Sequence, residues 1–347
     1  MKKIFNWLGR NLLHHNSVGA YFEPVIQMLK PAWRVGFYRA KVKSIQPLTN
    51  STLSIWLSVD KSWPVHKAGQ HIQLTVEVNG KLITRIFTIA SSPAEAIKKR
   101  RLHLVVKQQT LGQLTPQLAT LTPGDWLNIS KPNGNFTLEN VKNKSLFLAA
   151  GSGITPFISM LSALNVNNSN EHKLHLIYYA KQGEHLLVEQ LHLLAKQHAQ
   201  FTFELLTRAI DGDVESKLTD YNDTDFFVCG PAPFYYPVAK FAEAKQLKLF
   251  SEHFSALPIE TESKASFNLL FKGQSRVVNN SSSILTQLLE QGEQMTFGCK
   301  MGVCRQCQCI KTKGRVKNLL TGKISDTGEE LIQLCTSQAI TNLELKA

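Results

Sequence analysis

Gly298-Cys299-Lys300-Met301-Gly302-Val303-Cys304-Arg305-Gln306-Cys307 sets three cysteines in C-x4-C-x2-C order, and a fourth, Cys335, stands further along the chain. Plant-type [2Fe–2S] clusters take their thiolates at this spacing: a tight loop supplies three, and a distant residue closes the cage. Gly298 and Gly302 suit such a loop, because its backbone must pass close to the inorganic core and turn N–H groups toward sulfur. The alternatives are a zinc site or a set of buried thiols. Zinc sites favour paired C-x2-C knuckles or Cys/His mixtures, and only one such pair fits here. The expected iron ligands are Cys299, Cys304, Cys307 and Cys335. Cys309, two residues past Cys307, points to the other side of an extended chain and is expected to be a packed thiol. A cluster of this kind moves single electrons, so the rest of the chain should supply a donor.

The chain has 347 residues, enough for two or three domains with separate cores. With 43% apolar and 19% charged residues it reads as globular. Six cysteines in this length are no secreted disulfide framework, and thiolate ligands argue for a cytoplasmic setting. The segment Ile4 to Leu13 is broken by Asn6, Gly9, Arg10 and Asn11, which argues against a secretory signal. No apolar run approaches the roughly 18–20 residues that span a bilayer. The net charge of +13 is uneven, since residues 1–43 hold eight Lys/Arg against one acid, Glu23. No nucleic-acid motif accompanies it. An acidic partner or an anionic membrane face suits it better.

Residues 1–36 form a basic extension. Trp7, Leu8, Leu12, Leu13, Tyr21, Phe22, Val25, Ile26, Met28 and Leu29 recur at roughly helical spacing, with Pro24 and Pro31 expected to bracket a short helical piece. The segment is read as packed on the protein body, with a docking arm for a partner or the inner membrane face as the alternative.

From residue 37 short alternating segments take over: 40–44, 51–57, 71–76, then the turn Asn79-Gly80, then 82–87, 103–107 and 125–130. Many short strands with little helix predict an antiparallel β-barrel over residues 37–140. Residues 141–255 alternate strand and helix. Ser145 to Ala150 runs into Gly151-Ser152-Gly153-Ile154-Thr155-Pro156, helical patterns are read over 157–164 and 186–197, and strands at 174–179, 201–206 and 226–228 follow, the last ending in Cys229-Gly230-Pro231. This predicts a doubly wound α/β sheet, with phosphate brought to the glycine turn. Residues 256–264 are polar and read as a linker. Residues 265–347 read as a hairpin around Gly273, a helix from Ser283 to Gln291, the cysteine loop and short strands.

Arg85-Ile86-Phe87-Thr88-Ile89-Ala90-Ser91 resembles the flavin motif of the ferredoxin–NADP reductase superfamily, Arg-x-Tyr/Phe-Ser/Thr-x-x-Ser. Gly112-Gln113-Leu114-Thr115 resembles the family's pyrophosphate loop, and Gly-x-Gly-x-Thr-Pro its nicotinamide-nucleotide loop. Over residues 37–347 the resemblance implies an FAD-binding barrel, an NAD(P)-binding α/β domain and a β-grasp ferredoxin domain. It implies FAD rather than FMN. Arg85 would neutralise flavin phosphate, Phe87 would lie on the ring system, and Thr88 would bond near its reactive edge, with Ser91 and Lys107 beside them. Gly112 and Thr115 would cover the pyrophosphate. Gly151, Gly153 and Thr155 would hold the nicotinamide nucleotide, with Gly230 and Pro231 beside Cys229. Cys229, Thr88 and Glu252 are the implied catalytic set, and Phe254 approaches the flavin edge. After Tyr179 the strand end carries Lys181 and no carboxylate, which favours NADPH over NADH.

These modules interlock chemically. A nicotinamide gives a hydride, a flavin accepts it and releases electrons singly, and a cluster takes one at a time. The expected path is NADPH to FAD to [2Fe–2S] to an external acceptor. Phe22-Glu23-Pro24-Val25 and Pro31-Ala32-Trp33 resemble reductases of the di-iron fatty-acyl desaturase group, making a desaturase the expected partner and a soluble mono- or dioxygenase the alternative. A reading of another class is a redox-sensing or electron-storage module without sustained turnover.

Overall fold

The computed structural model describes residues 18–30, 32, 38–78, 81–109, 112, 114–141, 144–164, 173–253, 265–298, 300, 302 and 305–346. Two compact units emerge, residues 1–230 with 237–252, and residues 231–236 with 253–347.

The first unit opens on α1 (Val18–Leu29). Pro24 lies inside this helix rather than at its start, correcting the expectation that it brackets the helical piece. A proline there removes one backbone donor, and the turn continues past it. Phe22, Val25, Met28 and Leu29 are exposed, while Lys30, just past the helix, reaches Asp60 at 3.7 Å. The expectations for Trp7, Leu8, Leu12 and Leu13 lie outside the described residues.

An antiparallel sheet follows, built from β1 (Tyr38–Thr49), β2 (Thr52–Val59), β3 (His71–Val78), β4 (Lys81–Thr88), β5 (Arg101–Lys107) and β6 (Trp126–Ile129), in the order β4-β3-β6-β1-β2-β5. The outer strands β4 and β5 approach each other, and an Ile89–Leu104 bridge links their ends. The curl is what the expected barrel requires. β1 bends at two register shifts, and Pro47, which cannot donate to a ladder, sits at one of them. Period-2 alternation turns Ala40, Val42, Ile55, Leu57, Ile72, Leu74, Leu102 and Leu104 into one core.

The second sheet contains β7 (Lys144–Ala150), β8 (Lys173–Tyr179), β9 (Phe201–Leu206), β10 (Asp225–Gly230) and β11 (Leu249–His253), in the order β11-β10-β7-β8-β9. β10, β7, β8 and β9 run parallel. Strands buried on both faces read as unbroken apolar runs, as Leu146-Phe147-Leu148 and Phe226-Phe227-Val228 do. Phe147 stacks on Phe157 at 4.7 Å, and Phe227 on Phe250 at 4.6 Å. From β7 the chain moves to β8 and β9, then returns to lay β10 on the other side of β7. The switch point therefore falls between β7 and β10, where open α/β sheets place ligands at their carboxyl ends. The helix expected from Leu186 starts later, as α5 (Val188–Gln197), because Leu187 takes a left-handed conformation. Between them lie α2 (Pro93–Lys99), α3 (Thr115–Ala119) and α4 (Thr155–Leu161), with α6 (Arg208–Asp211) and α7 (Ala232–Ala244) later.

In the second unit β12 (Ser266–Phe271) and β13 (Gln274–Asn279) pair as a hairpin. Its two turn residues, Lys272 and Gly273, both have positive φ, the geometry that matches strand twist. With β14 (Gln308–Lys313), β16 (Glu330–Gln333) and β18 (Leu343–Lys346) they make a sheet of order β13-β12-β18-β14-β16. β15 (Val316–Asn318) and β17 (Ser337–Ala339) pair separately. The helix α8 (Ile284–Glu290) is capped by Ser283, whose hydroxyl accepts from the Thr286 N–H, and it buries Ile284, Leu285 and Leu288.

Candidate functional site

Arg85 and Phe87 are two residues apart on β4 and so share a face. Both are half-buried, presenting a guanidinium and an aromatic ring together. Arg85 Nη1 also donates to the Thr84 carbonyl, 2.8 Å away. Such a pair fits an anionic cofactor with a flat ring system. Thr88 faces the other way, buried, and its hydroxyl donates to Glu252 Oε2 at 3.3 Å. Ser91 turns inward as well. Its hydroxyl accepts from the His103 N–H at 3.0 Å, while its carbonyl accepts from Ser159 Oγ at 2.8 Å and His66 Nε2 at 3.0 Å. Lys107 is exposed at the end of β5.

Before α3, Thr115 Oγ1 accepts from the Gln109 N–H at 2.9 Å and Gly112 N–H donates to the Gln109 carbonyl at 2.7 Å. A Cβ on Gly112 would lie 2.9 Å from Gln109, so glycine is needed to close this turn.

At the switch point Cys229 is fully buried, level with Ala149 of β7. The Gly151–Ile154 turn presses directly against it. A Cβ on Gly153 would fall 2.0 Å from the Cys229 carbonyl oxygen. Thr155 Oγ1 donates to the Ser152 carbonyl at 2.9 Å, and Tyr178 OH donates to the Gly151 carbonyl at 3.0 Å. Burial holds the Tyr178 phenol above its usual range, so it remains a donor. Burial first, and the Glu252 charge second, push the Cys229 thiol well above its ordinary value. Cys229 is thus a neutral packed thiol. Gly230 ends β10 and Pro231 precedes α7.

Lys181 is exposed beyond the end of β8. Asp211 and Asp213 lie close enough to act on Tyr179, the last residue of β8. Burial, then the charges of Asp211 and Asp213, push the Tyr179 phenol up to about 12. Asp213 is paired with Arg208.

One residue escaped the sequence reading. His71 Nδ1 donates to Glu252 Oε1 at 2.7 Å, so both carboxylate oxygens of Glu252 are engaged, one by His71 and one by Thr88. His71 also lies opposite Thr88 in the β3–β4 register, and a Cβ on Gly134 would come within 3.0 Å of the imidazole. His71, Thr88 and Glu252 therefore form one hydrogen-bonded group, and the buried Cys229 lies within reach of the Glu252 charge. No local signal in the sequence pointed to it, because its partner Glu252 lies 181 residues away. Phe254 lies outside the described residues.

In the second unit Cys307 and Cys335 are both buried in the core. The Leu334 N–H donates to the Cys307 carbonyl at 3.1 Å, which makes the two cysteines neighbours. Gly302 N–H points at Cys335 Sγ, 3.2 Å away. A backbone donor aimed at sulfur fits a thiolate ligand of an iron–sulfur group. Cys309 takes another course, its thiol donating to the Lys346 carbonyl at 3.1 Å. Cys299 and Cys304 lie outside the described residues. Among the described residues no group of three or more His, Cys, Asp or Glu side chains is placed to hold a metal ion.

Residues 40–138 match the family described as oxidoreductase FAD-binding domain, and residues 147–240 the oxidoreductase NAD-binding domain. The chain is therefore an NAD(P)H-dependent oxidoreductase of the ferredoxin-reductase type. It is 26% identical over 328 residues to an NADPH oxidoreductase of Mycobacterium tuberculosis, covering 90% of this chain and 85% of that one. It is 26% identical over 235 residues to the toluate 1,2-dioxygenase electron transfer component of Pseudomonas putida, covering 63% of this chain and 68% of the relative. Among solved structures, phthalate dioxygenase reductase shares the fold at a TM-score of 0.57 and 19% identity, covering 90% of this chain and 98% of that one.

Proposed function

We propose that this protein is the reductase component of an oxygenase system, carrying electrons from NADPH through FAD and a [2Fe–2S] cluster to a separate oxygenase. One observation supports this most. The Gly151–Ile154 turn closes on Cys229 at the sheet's switch point, with Glu252, Thr88 and His71 gathered beside it. There the chain can hold a nicotinamide against a flavin. Bound flavin supplies the conversion of a two-electron hydride into single electrons.

The chain's own groups then have defined tasks. Arg85 carries positive charge to the cofactor phosphates, and Phe87 offers a flat apolar face. Glu252 is held by His71 and Thr88. Cys229, a neutral thiol, fills space beside the nicotinamide position without acting as a nucleophile. Lys181 favours a 2′-phosphate, and NADPH over NADH. Cys299, Cys304, Cys307 and Cys335 would hold the cluster within a β-grasp domain, and the Gly302 N–H would stabilise charge on Cys335. The desaturase partner expected from Phe22-Glu23-Pro24-Val25 gains no support from the relatives above, one of which is an electron transfer component of a dioxygenase. None of the described helices is long and apolar enough to cross a membrane.

The test is anaerobic titration with NADPH. Flavin absorbance should bleach, and a reduced [2Fe–2S] signal should appear by electron paramagnetic resonance. Purified protein with flavin but no iron, or a cluster that NADPH never reduces, would overturn this reading.

A further inference from the structure

The second unit carries a charge asymmetry around its cysteine loop. Between Gln294 and Ser325 the sequence holds seven basic residues and no acid. One of them, Lys311, is fully buried, its ammonium satisfied by the carbonyls of Asp326 and Gly328. Others stay at the surface, and the fold gathers four of them near the loop.

The gathering element is the hairpin from Val316 to Ser325. The Ser325 N–H donates to the Val316 carbonyl at 2.9 Å, and the Asn318 N–H to the Lys323 carbonyl at 2.8 Å. Lys317 faces Ile324 across it, so these two side chains share a face. Leu320 sits in its turn and packs on the cysteine loop, since a Cβ on Gly302 would lie 2.9 Å from Leu320 Cδ1. Leu320 and Ile324 are nevertheless 46% and 52% exposed. Lys300 and Arg305 stand on either side of Gly302, both exposed and both at positive φ, where the chain turns sharply. Lys317 and Lys323 are exposed on the hairpin. None of the four is ion-paired with a described carboxylate.

We propose that this surface, Leu320 and Ile324 with Lys300, Arg305, Lys317 and Lys323 around them, docks an acidic face of the electron-accepting protein. The proposal rests on the cluster reading given above, because the surface matters as an outlet only if Cys335 and its partners hold iron. Its chemistry selects the partner. Two exposed apolar side chains make a small patch, suited to the brief, low-area encounters of electron-transfer pairs rather than to a permanent complex. Four cations without a described carboxylate partner, Lys300 among them over the Phe297 ring at 4.7 Å, give such an encounter orientation and speed when the other face is negative. A lipid surface has the charge but no redox centre to bring beside Cys335.

The test uses two one-electron acceptors of opposite charge, cytochrome b5 (acidic) and cytochrome c (basic). Binding to the oxidised holoprotein is measured by calorimetry, and NADPH-driven reduction is followed beside it. Cytochrome b5 should bind, and binding should weaken as salt shortens the Debye length from about 30 Å at 0.01 M to about 8 Å at 0.15 M. The double variant Lys317→Glu/Lys323→Glu should bind it at least about tenfold less tightly, with flavin and cluster spectra unchanged. If that variant loses its cluster, Lys317→Gln/Lys323→Gln carries the same test with a smaller drop. Equal affinity in wild type and a spectrally intact variant overturns the proposal. So does tighter binding of cytochrome c than of cytochrome b5 at low salt, or binding to phosphatidylserine vesicles without binding to cytochrome b5. Failure of the cluster reading looks different. Neither cytochrome would then be reduced although flavin still bleaches, while the binding data still decide the surface.

Discussion

Burial holds the His103 imidazole at about 4, against an ordinary 6.5. Its Nε2 meets Ser54 Oγ at 2.8 Å, and its ring stacks on Trp56 at 4.5 Å. A base whose folded value is depressed favours the fold above its unfolded value, and that stability drains as the pH falls from 6.5 toward 4. The loss amounts to about 3 kcal/mol if the shift is realised fully. Urea midpoints should fall between pH 7 and pH 4.5, and His103→Gln should flatten that part of the profile. His71 has a different task. It touches Glu252, and under the proposed function it would position that carboxylate. His71→Leu should leave flavin bound yet slow flavin reduction by NADPH about tenfold or more, and lower stability by about 1.5–3 kcal/mol through the lost bond to a charged group. His71→Asn keeps an N–H near the Nδ1 position and should restore most of the rate. Equal stopped-flow rates in His71→Leu and wild type would remove the positioning role. Sequence could not disclose this pair, because His71 and Glu252 are 181 residues apart and meet only when two sheets are built. Thr88 and Cys229, by contrast, stand in local motifs and could be read directly.

At the scale of elements, local patterns were legible and their ends were not. The apolar run Phe201–Leu206 is a strand over the expected residues, and Ser283 caps its helix as its hydroxyl suggests. α4 covers Thr155–Leu161, shorter than the pattern running to Leu164, since apolar spacing marks a face and not the place where hydrogen bonding stops. The two glycines of the nucleotide turn look alike in sequence and differ physically. Gly151 has φ +57° with nothing within 4 Å of a Cβ, whereas Gly153 is held by contact with the Cys229 backbone. Gly151→Ala should therefore cost about 1 kcal/mol, a backbone effect. Gly153→Ala must separate the turn from β10 and should cost roughly 1–3 kcal/mol or more, with NADPH affinity falling in parallel. Urea denaturation and nucleotide titration of both variants check the ordering, and equal effects would contradict it.

At the scale of the whole molecule, the flavin and nucleotide domains were legible because each has its own texture: alternation for the antiparallel sheet and strand–glycine–helix for the parallel one. The division into two units was less so, for the barrel and nucleotide sheet cluster together while residues 253–347 form a second body with its own core. That division has a consequence for Cys335→Ser. Cys335 is buried in the second core, and the Gly302 N–H points at its sulfur. Arg85, Thr88, Cys229 and Glu252 all belong to the first unit. The substitution should remove iron and lower the thermal transition of the second unit alone. Flavin content and NADPH-driven ferricyanide reduction should stay within about twofold of wild type, a free-energy change of about 0.4 kcal/mol, because ferricyanide can draw electrons from bound flavin. Cytochrome reduction should collapse. A parallel loss of flavin would mean that the two units fold as one, and undiminished cytochrome reduction would mean that electrons leave from the flavin without passing through Cys335.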